Sequence, residues 1–464
     1  VSRDRADTVT SARPHRPRRP ALRRLTLRRR AEALLLGVAL SFPLGCGGPR
    51  RGVDDALDAR DLGGALEAYD RFRATEGADV ALLADVAALL LELEALSDEP
   101  TRRDAALAQL ELAGNAGLDT LRRVGRSEGV TIARARALAA LTKRRDSQAR
   151  AFLYALLDGD DPAILALAVT ALQDDEEARM LELLAHADPQ VRRAAALRLS
   201  ARRDSSAALE ALVQIARVDP EARVREAACR ALGSFGAAAV PRLRERLDDP
   251  DPQVRQTVVR ALVQADRDAA IPIIAPLLGL PPSPASIEAA RVLAYVGVDE
   301  ARDETGETAL QWLLGVLSHE DASLRSTAAI ALVSVAPTGA PLDALRGALA
   351  REEDRGVRLG LARALLPSDD DDARPAHDAL LALLDGDDMP AVQAAALLAE
   401  NDDAAGVAKL EATLASEDPL LRGVAARALA RGAHLPDAVL PALRDPEPLV
   451  RIQAAGGVLA ASNH

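Results

Sequence analysis

One phrase of about twelve residues recurs along this chain. "DPQVRRAAALRL" (Asp188–Leu199) returns as "DPQVRQTVVRAL" from Asp251, "DPLLRGVAARAL" from Asp418 and "DPEARVREAACRAL" from Asp219. Looser versions begin at Asp161, Asp321 and Asp354. Taking the aliphatic residue before the Arg as a marker gives Ile132, Ile164, Val191, Val224, Val254, Ile287, Leu324, Val357, Val392, Leu421 and Val450, spaced 27 to 37 residues apart. A period of that length is the signature of stacked units, each too small to bury its own apolar face. Such a stack extends in one dimension, so 464 residues need not be divided among several globular cores.

Each copy reads as helix, turn, helix. Upstream of a marker lies an amphipathic stretch such as "AALEALVQIARV" (Ala207–Val218), with Leu and Ile at helical spacing. The Asp-Pro that follows opens the second helix: the carboxylate accepts unpaired N–H groups of the first turn, and Pro is preorganised for the first helical position. In that helix Val191, Ala194, Ala195 and Leu199 share one face. The chain is 49% hydrophobic but only 2% aromatic, so its apolar mass is Ala, Leu and Val. That suits closely spaced helices better than the aromatic walls of a large ligand pocket.

The motif D-P-x-V-R-x-x-A-A-x-A-L resembles the HEAT repeat, in particular the bacterial phycobilisome-lyase-like subgroup, over residues 128–464. The resemblance implies an all-α, right-handed solenoid of about eleven helical hairpins whose second helices line the concave face. It also implies a ladder between repeats made by turn Asp and Arg, here Asp188 with Arg192, Asp251 with Arg255, Asp354 with Arg358, and Asp418 with Arg422. The ladder should break where Leu165, Glu288 and Gln393 replace the Arg. Residues 46–127 lack the motif and are expected to form an N-terminal helical cap. "DLGGALEAYDRFRAT" there resembles the second helix of a tetratricopeptide repeat, with Ala65 and Tyr69 at the packing positions. The ending "AAGGVLAASNH" loses its helix formers, as a weakened terminal repeat would. Between Ile287 and Leu324 the gap widens, and "VDEARDETGE" (Val298–Glu307) reads as an exposed loop.

Residues 1–45 carry eleven Arg against three acids, whereas 46–464 carry 47 basic and 67 acidic residues, a net of −20. The Arg-rich start, the short apolar run from Ala33 to Leu44 and the small residues after it follow the pattern of a secretory signal. The run is too short to span a bilayer. Gly45-Cys46-Gly47 resembles a bacterial lipoprotein processing site, with Pro43 where that family usually has Leu. The resemblance implies lipidation of Cys46 and a membrane-anchored protein of the cell envelope. An acidic body repels polyphosphate, so nucleic acid is not an expected partner.

The search for chemistry is brief. His186 and His319 occupy the same turn position four repeats apart, too far to share a metal, and His377 and His434 fail similarly. Cys229 sits mid-helix where a small buried residue belongs. No nucleophile elbow and no phosphate-binding glycine loop occurs. No cofactor and no enzymatic activity is expected. One pattern remains. Arg230, Arg260, Arg363 and Arg427 each lie six residues after a marker, on the polar side of a second helix. They would put guanidinium groups on the inner face of an acidic solenoid, where they suit the carboxylates of acidic peptide or protein segments. The expectation is therefore a protein-binding scaffold. The alternatives are an enzyme or enzyme subunit resembling the phycobilisome lyases, and a cytosolic adaptor in which Cys46 is never processed.

Overall fold

The computed structural model describes residues 48–295, 304–335, 340–366, 370–431 and 438–462, and residues 48–464 form one compact unit. Cys46, His434 and most of the acidic loop from Val298 lie outside the described residues. The loop's last residues, Glu304–Glu307, form the first turn of the helix Glu304–Val316.

Among the described residues the protein is all α-helix and 3-10 helix, an α-solenoid of eleven hairpins that starts with Leu118–Gly125 and Ile132–Lys143. In each hairpin an outer helix packs on an inner one, and each inner helix packs on the inner helices before and after it. The capping chemistry is as the sequence predicts at Asp161, Asp188, Asp251, Asp321, Asp354, Asp388 and Asp418, whose side chains accept first-turn N–H groups. Markers Val191, Val254 and Val450 are fully buried against the outer layer, and alanines such as Ala195, Ala228 and Ala395 let the inner helices approach.

The two ends of the stack differ from the expectation. Helix Pro100–Leu112 packs on the first inner helix, Ile132–Lys143, and also on the last one, Pro448–Ala461. Helix Val80–Ala95 packs on that last helix too. The N-terminal helices therefore do not merely cap the first repeat. They join it to the last, and the solenoid closes head to tail. Ala65 and Tyr69 are fully buried in this segment, and the Tyr69 hydroxyl donates to the Asp79 carbonyl at 2.9 Å.

The glycine pair near the C-terminus is explained by that closure, and the expected weakening of the last repeat is overturned. The final helix runs to Ala461. A Cβ on Gly456 would collide with the Gln109 side chain, and one on Gly457 would meet Ala430 Cβ at 2.6 Å and the Arg427 carbonyl at 2.8 Å. Two helices press on this one from different sides, and only glycine leaves room for both.

Candidate functional site: the ladder, the seam and the inner face

A ladder does tie the repeats together, but in a register other than the expected one. Asp188 caps its own helix. Arg192 instead reaches the next repeat, where Nε and Nη2 donate to Asp219 at 2.8 and 3.0 Å. Its Nη1 donates back to the carbonyls of His186 and Ala187 at 3.0 and 2.9 Å. The same arrangement joins Arg225 to Asp249, Arg325 to Glu352 and Arg422 to Asp445. Bidentate pairing of this kind matches the planar fork of guanidinium to a carboxylate. Arg325 holds Glu352 below the usual carboxylate range, and Arg422 does the same for Asp445.

The accepting acid always stands five residues before its own marker, and it also accepts a backbone N–H two residues on. In three repeats whose predecessor has no Arg to offer, a neutral side chain takes over that local bond. His186 accepts from the Asp188 N–H and His319 from the Asp321 N–H, both through Nδ1 at 3.0 Å, and Ser416 accepts from Asp418 at 3.2 Å. These follow Leu165, Glu288 and Gln393 respectively. The two histidines thus hold turns together. Among the described residues no cluster of His, Cys, Asp or Glu has the makings of a metal site.

None of the four expected pairs forms, and two of their arginines, Arg255 and Arg358, make no rung in the observed register either. Arg255 finds only the carbonyls of Asp249 and Pro250, because Pro282 stands at the accepting position of the next repeat. Arg358 has a buried Nε without a hydrogen bond, while Arg355, three residues earlier, makes the link to Asp388 at 2.7 Å.

The last rung closes the ring. Arg451 Nη1 donates to the carbonyls of Asp445 and Pro446, as Arg192, Arg225, Arg325 and Arg422 do to theirs. Its Nη2 reaches Glu94 at 3.1 Å, 357 residues back along the chain. Glu94 is buried and also binds Arg102 at 2.6 Å. Gln109 donates to Gln453 at 3.2 Å, and Arg444 pairs with Asp70 at 2.6 Å across the same seam. Beside it lies a concavity of about 750 Å³ bounded by Asp85, Arg60, Arg123 and Leu459. There burial raises the Asp85 pKa, and buried Glu92 binds Arg60 and Arg123.

The inner face follows from the glycine contacts. A Cβ on Gly423, two residues after its marker, would touch the following inner helix at Gln453, and Gly457, seven after its marker, abuts the preceding one. At 100° per residue, the position six after the marker falls between these flanks and away from the outer layer. At positions −1, +2 and +6 from Ile164 to Val450 stand Arg193, Arg223, Arg230, Arg260, Arg363 and Arg427, against a single acid, Glu226.

The four arginines expected there differ in their surroundings. Arg230 is exposed and pairs with Glu226 at 2.5 Å, whereas exposed Arg260 is engaged by buried Glu288 at 3.1 Å. Arg363 is exposed, with no ion pair among the described residues. Arg427 is half-buried and likewise unpaired; burial, with Arg431 nearby, lowers its pKa. Arg230 and Arg260 lie on adjacent inner helices, while Arg363 and Arg427 are separated by the helix Met389–Glu400. Arg193 and Arg223, also exposed, join them from positions +2 and −1, which the six-residue spacing alone does not pick out.

The fold class is an all-α solenoid. The family description "HEAT repeats" matches residues 151–233, 177–262 and 209–294. No curated protein is significantly similar to the chain. Among solved structures it is similar to an engineered protein at 22% identity, covering 78% of this chain and 98% of that one, with a TM-score of 0.30. It is also similar to the CpcE–CpcF complex of phycocyanin lyase from Nostoc, at 20% identity over 63% of this chain and 92% of that one, with a TM-score of 0.28. A third likeness is to Kap95p in its binding to RanGDP, at 14% identity over 82% and 60%, with a TM-score of 0.35.

Proposed function

We propose that this protein is a non-catalytic, protein-binding scaffold whose inner face holds acidic segments of a partner, and that a lipid on Cys46 anchors it at the cell envelope. One observation carries the first part: the inner stripe is basic in a body whose net charge from residue 46 onward is −20. A charge reversed locally against the global field has a use when it meets a complementary surface, where desolvated guanidinium–carboxylate pairs fix register and orientation. The lyase-like reading finds no support in Cys229, the one described cysteine, which is fully buried, with burial pushing its thiol pKa to about 12. A thiol held that way is a packing group, with almost no thiolate available as a nucleophile.

The test is capture from crosslinked native cells, comparing the wild type with Arg230→Glu combined with Arg363→Glu. Both side chains are exposed, so the helical circular dichroism should be unchanged while a stoichiometric partner is lost. Equal capture by the variant would overturn the reading. The anchor has its own check, mass spectrometry of the mature N-terminus: a diacylglyceryl-modified Cys46 supports it, and an unmodified Cys46 with residues 1–45 retained removes it.

A further inference from the structure

The inner face carries one concavity that differs from the rest of the stripe, and we infer that it is the seat of an acidic, amphipathic helix of the partner. This rests on the reading of the inner face as a partner surface, and names the place and the chemistry that fit it.

The concavity is about 700 Å³ and is lined by the N-terminal helix Pro100–Leu112 and by the first three inner helices, Ile132–Lys143, Pro162–Ala168 and Pro189–Leu199. No outer helix contributes. Its centre is the short helix Pro162–Ala168, whose inward stripe of Ala163, Ala166 and Leu167, with Thr170 beyond it, carries no charge. Ala163 is exposed and Leu167 half-buried, so this saddle presents apolar surface to solvent. Cations stand on both sides: Arg103, Arg136 and Lys143 on one, Arg193 and Arg198 on the other, with a single acid, Asp104, in the lining.

The positive charge is incompletely compensated. Asp104 is shared between Arg103 and Arg136. Lys143 approaches Glu111 only to 3.9 Å. Arg198 is engaged by Asp174 and the Leu172 carbonyl. Arg193 is exposed and has no ion pair among the described residues. An apolar saddle between two basic walls is complementary to a helix with an apolar middle and carboxylates toward both ends. The walls are two inner-helix spacings apart, ~16–20 Å, which is about three turns of α-helix. Duplex nucleic acid would present phosphate to the walls but nothing apolar to the saddle.

The experiment titrates the full chain into a fluorescein-labelled helical peptide of about eighteen residues, with Glu near both ends and Leu and Ala between, followed by anisotropy. The comparison probes are the same peptide with Lys for Glu and a duplex DNA of similar length. Two variants alter the seat without touching the core. Arg193→Glu changes an exposed side chain, and Ala163→Glu puts a carboxylate on the saddle in the first turn of its helix, where it favours helix formation. Binding of the Glu peptide, at least tenfold weaker in each variant and within twofold of wild type in Arg230→Glu with Arg363→Glu, is the expected result. Equal binding of the Lys peptide or of DNA would overturn the inference, as would unchanged affinity in both seat variants. If Arg230→Glu with Arg363→Glu loses the peptide and the seat variants do not, the scaffold reading stands and this seat falls. If no Glu peptide binds, the seat falls. The scaffold reading then falls only if partner capture is also insensitive to Arg230→Glu with Arg363→Glu.

Discussion

The rung between Arg225 and Asp249 and the rung between Arg451 and Glu94 serve opposite ends: Arg225 grips its acid through Nε and Nη2, Arg451 through Nη2. The first joins residues 24 apart and is one of a series. The second joins residues 357 apart and occurs once. Inside the stack each inner helix meets its neighbours through alanine and valine, and the rung sits at the edge of an apolar contact. At the seam polar side chains join the apolar contact: Gln109 on Gln453, Glu94 shared by Arg102 and Arg451, and Arg444 on Asp70. Closure adds one interface that an open solenoid, whose stability is a sum over nearest neighbours, would not have.

This contrast can be broken most forcefully at Gly457. Leucine there must displace Ala430 and the Arg427 carbonyl, which cannot swing away as a flexible side chain does. A loss of about 3 kcal/mol is expected, with the ring opened between its last two inner helices, Pro419–Leu429 and Pro448–Ala461: small-angle scattering should show a larger radius of gyration while most of the helicity survives. An unchanged radius would mean that the closed ring does not depend on close approach at this helix.

Removing one acid from each kind of rung sharpens the comparison. Asp249→Asn leaves Arg225 without its carboxylate in a buried setting, and about 3 kcal/mol should be lost in chemical denaturation with no change of shape. Glu94→Gln should cost roughly 2 kcal/mol, because Arg102 and Arg451 have more access to water than Arg225. It should also raise the radius of gyration, as the Gly457 variant does. Equal shapes for the two variants would erase the distinction between rung and seam.

Acid should loosen the ladder in a predictable direction. Glu352 and Asp445 titrate below their ordinary values of 4.5 and 3.8 in the folded protein. Their contribution is therefore complete above those values and is lost as the pH falls through the depressed ones. The melting temperature should be level above about pH 5 and drop below about pH 4, and Glu352→Gln with Asp445→Asn should flatten that drop. The smallest effect is constructive. Gln393→Arg with Ser416→Asp would complete a missing rung at partly accessible positions, and a double-mutant cycle should give a favourable coupling of about 0.5–1 kcal/mol.

Much of the fold was legible from the phrase alone. Asp188, Asp251 and Asp418 cap as their position before Pro demands, and Cys229 is buried because its helical register leaves no alternative. The ladder was legible in existence but misread in register. Asp219-Pro220 and Asp445-Pro446 look like caps, whereas their helices start two residues later, after Glu221 and Glu447, and leave the aspartates for the preceding repeat's arginine. A signal was present in the sequence: acid five before a marker follows Arg192, Arg225, Arg325 and Arg422, and His or Ser follows Leu165, Glu288 and Gln393. On the inner face the +6 arginines were legible, but their condition was not. Glu288, which engages Arg260, belongs to the next helix, and only the packing brings them together.

What the sequence determined by itself is local and repeated: the hairpin, its caps, its buried face and the need of each unit for a neighbour. These depend on contacts within about one period, so their causes stand side by side in the chain. The tertiary structure decided that the stack closes. Curvature is the sum of a small rotation at each of many interfaces, and no single repeat contains that sum. Only when the last helix arrives beside the first do Arg451 and Glu94, or Gly456 and Gln109, acquire a reason for being what they are.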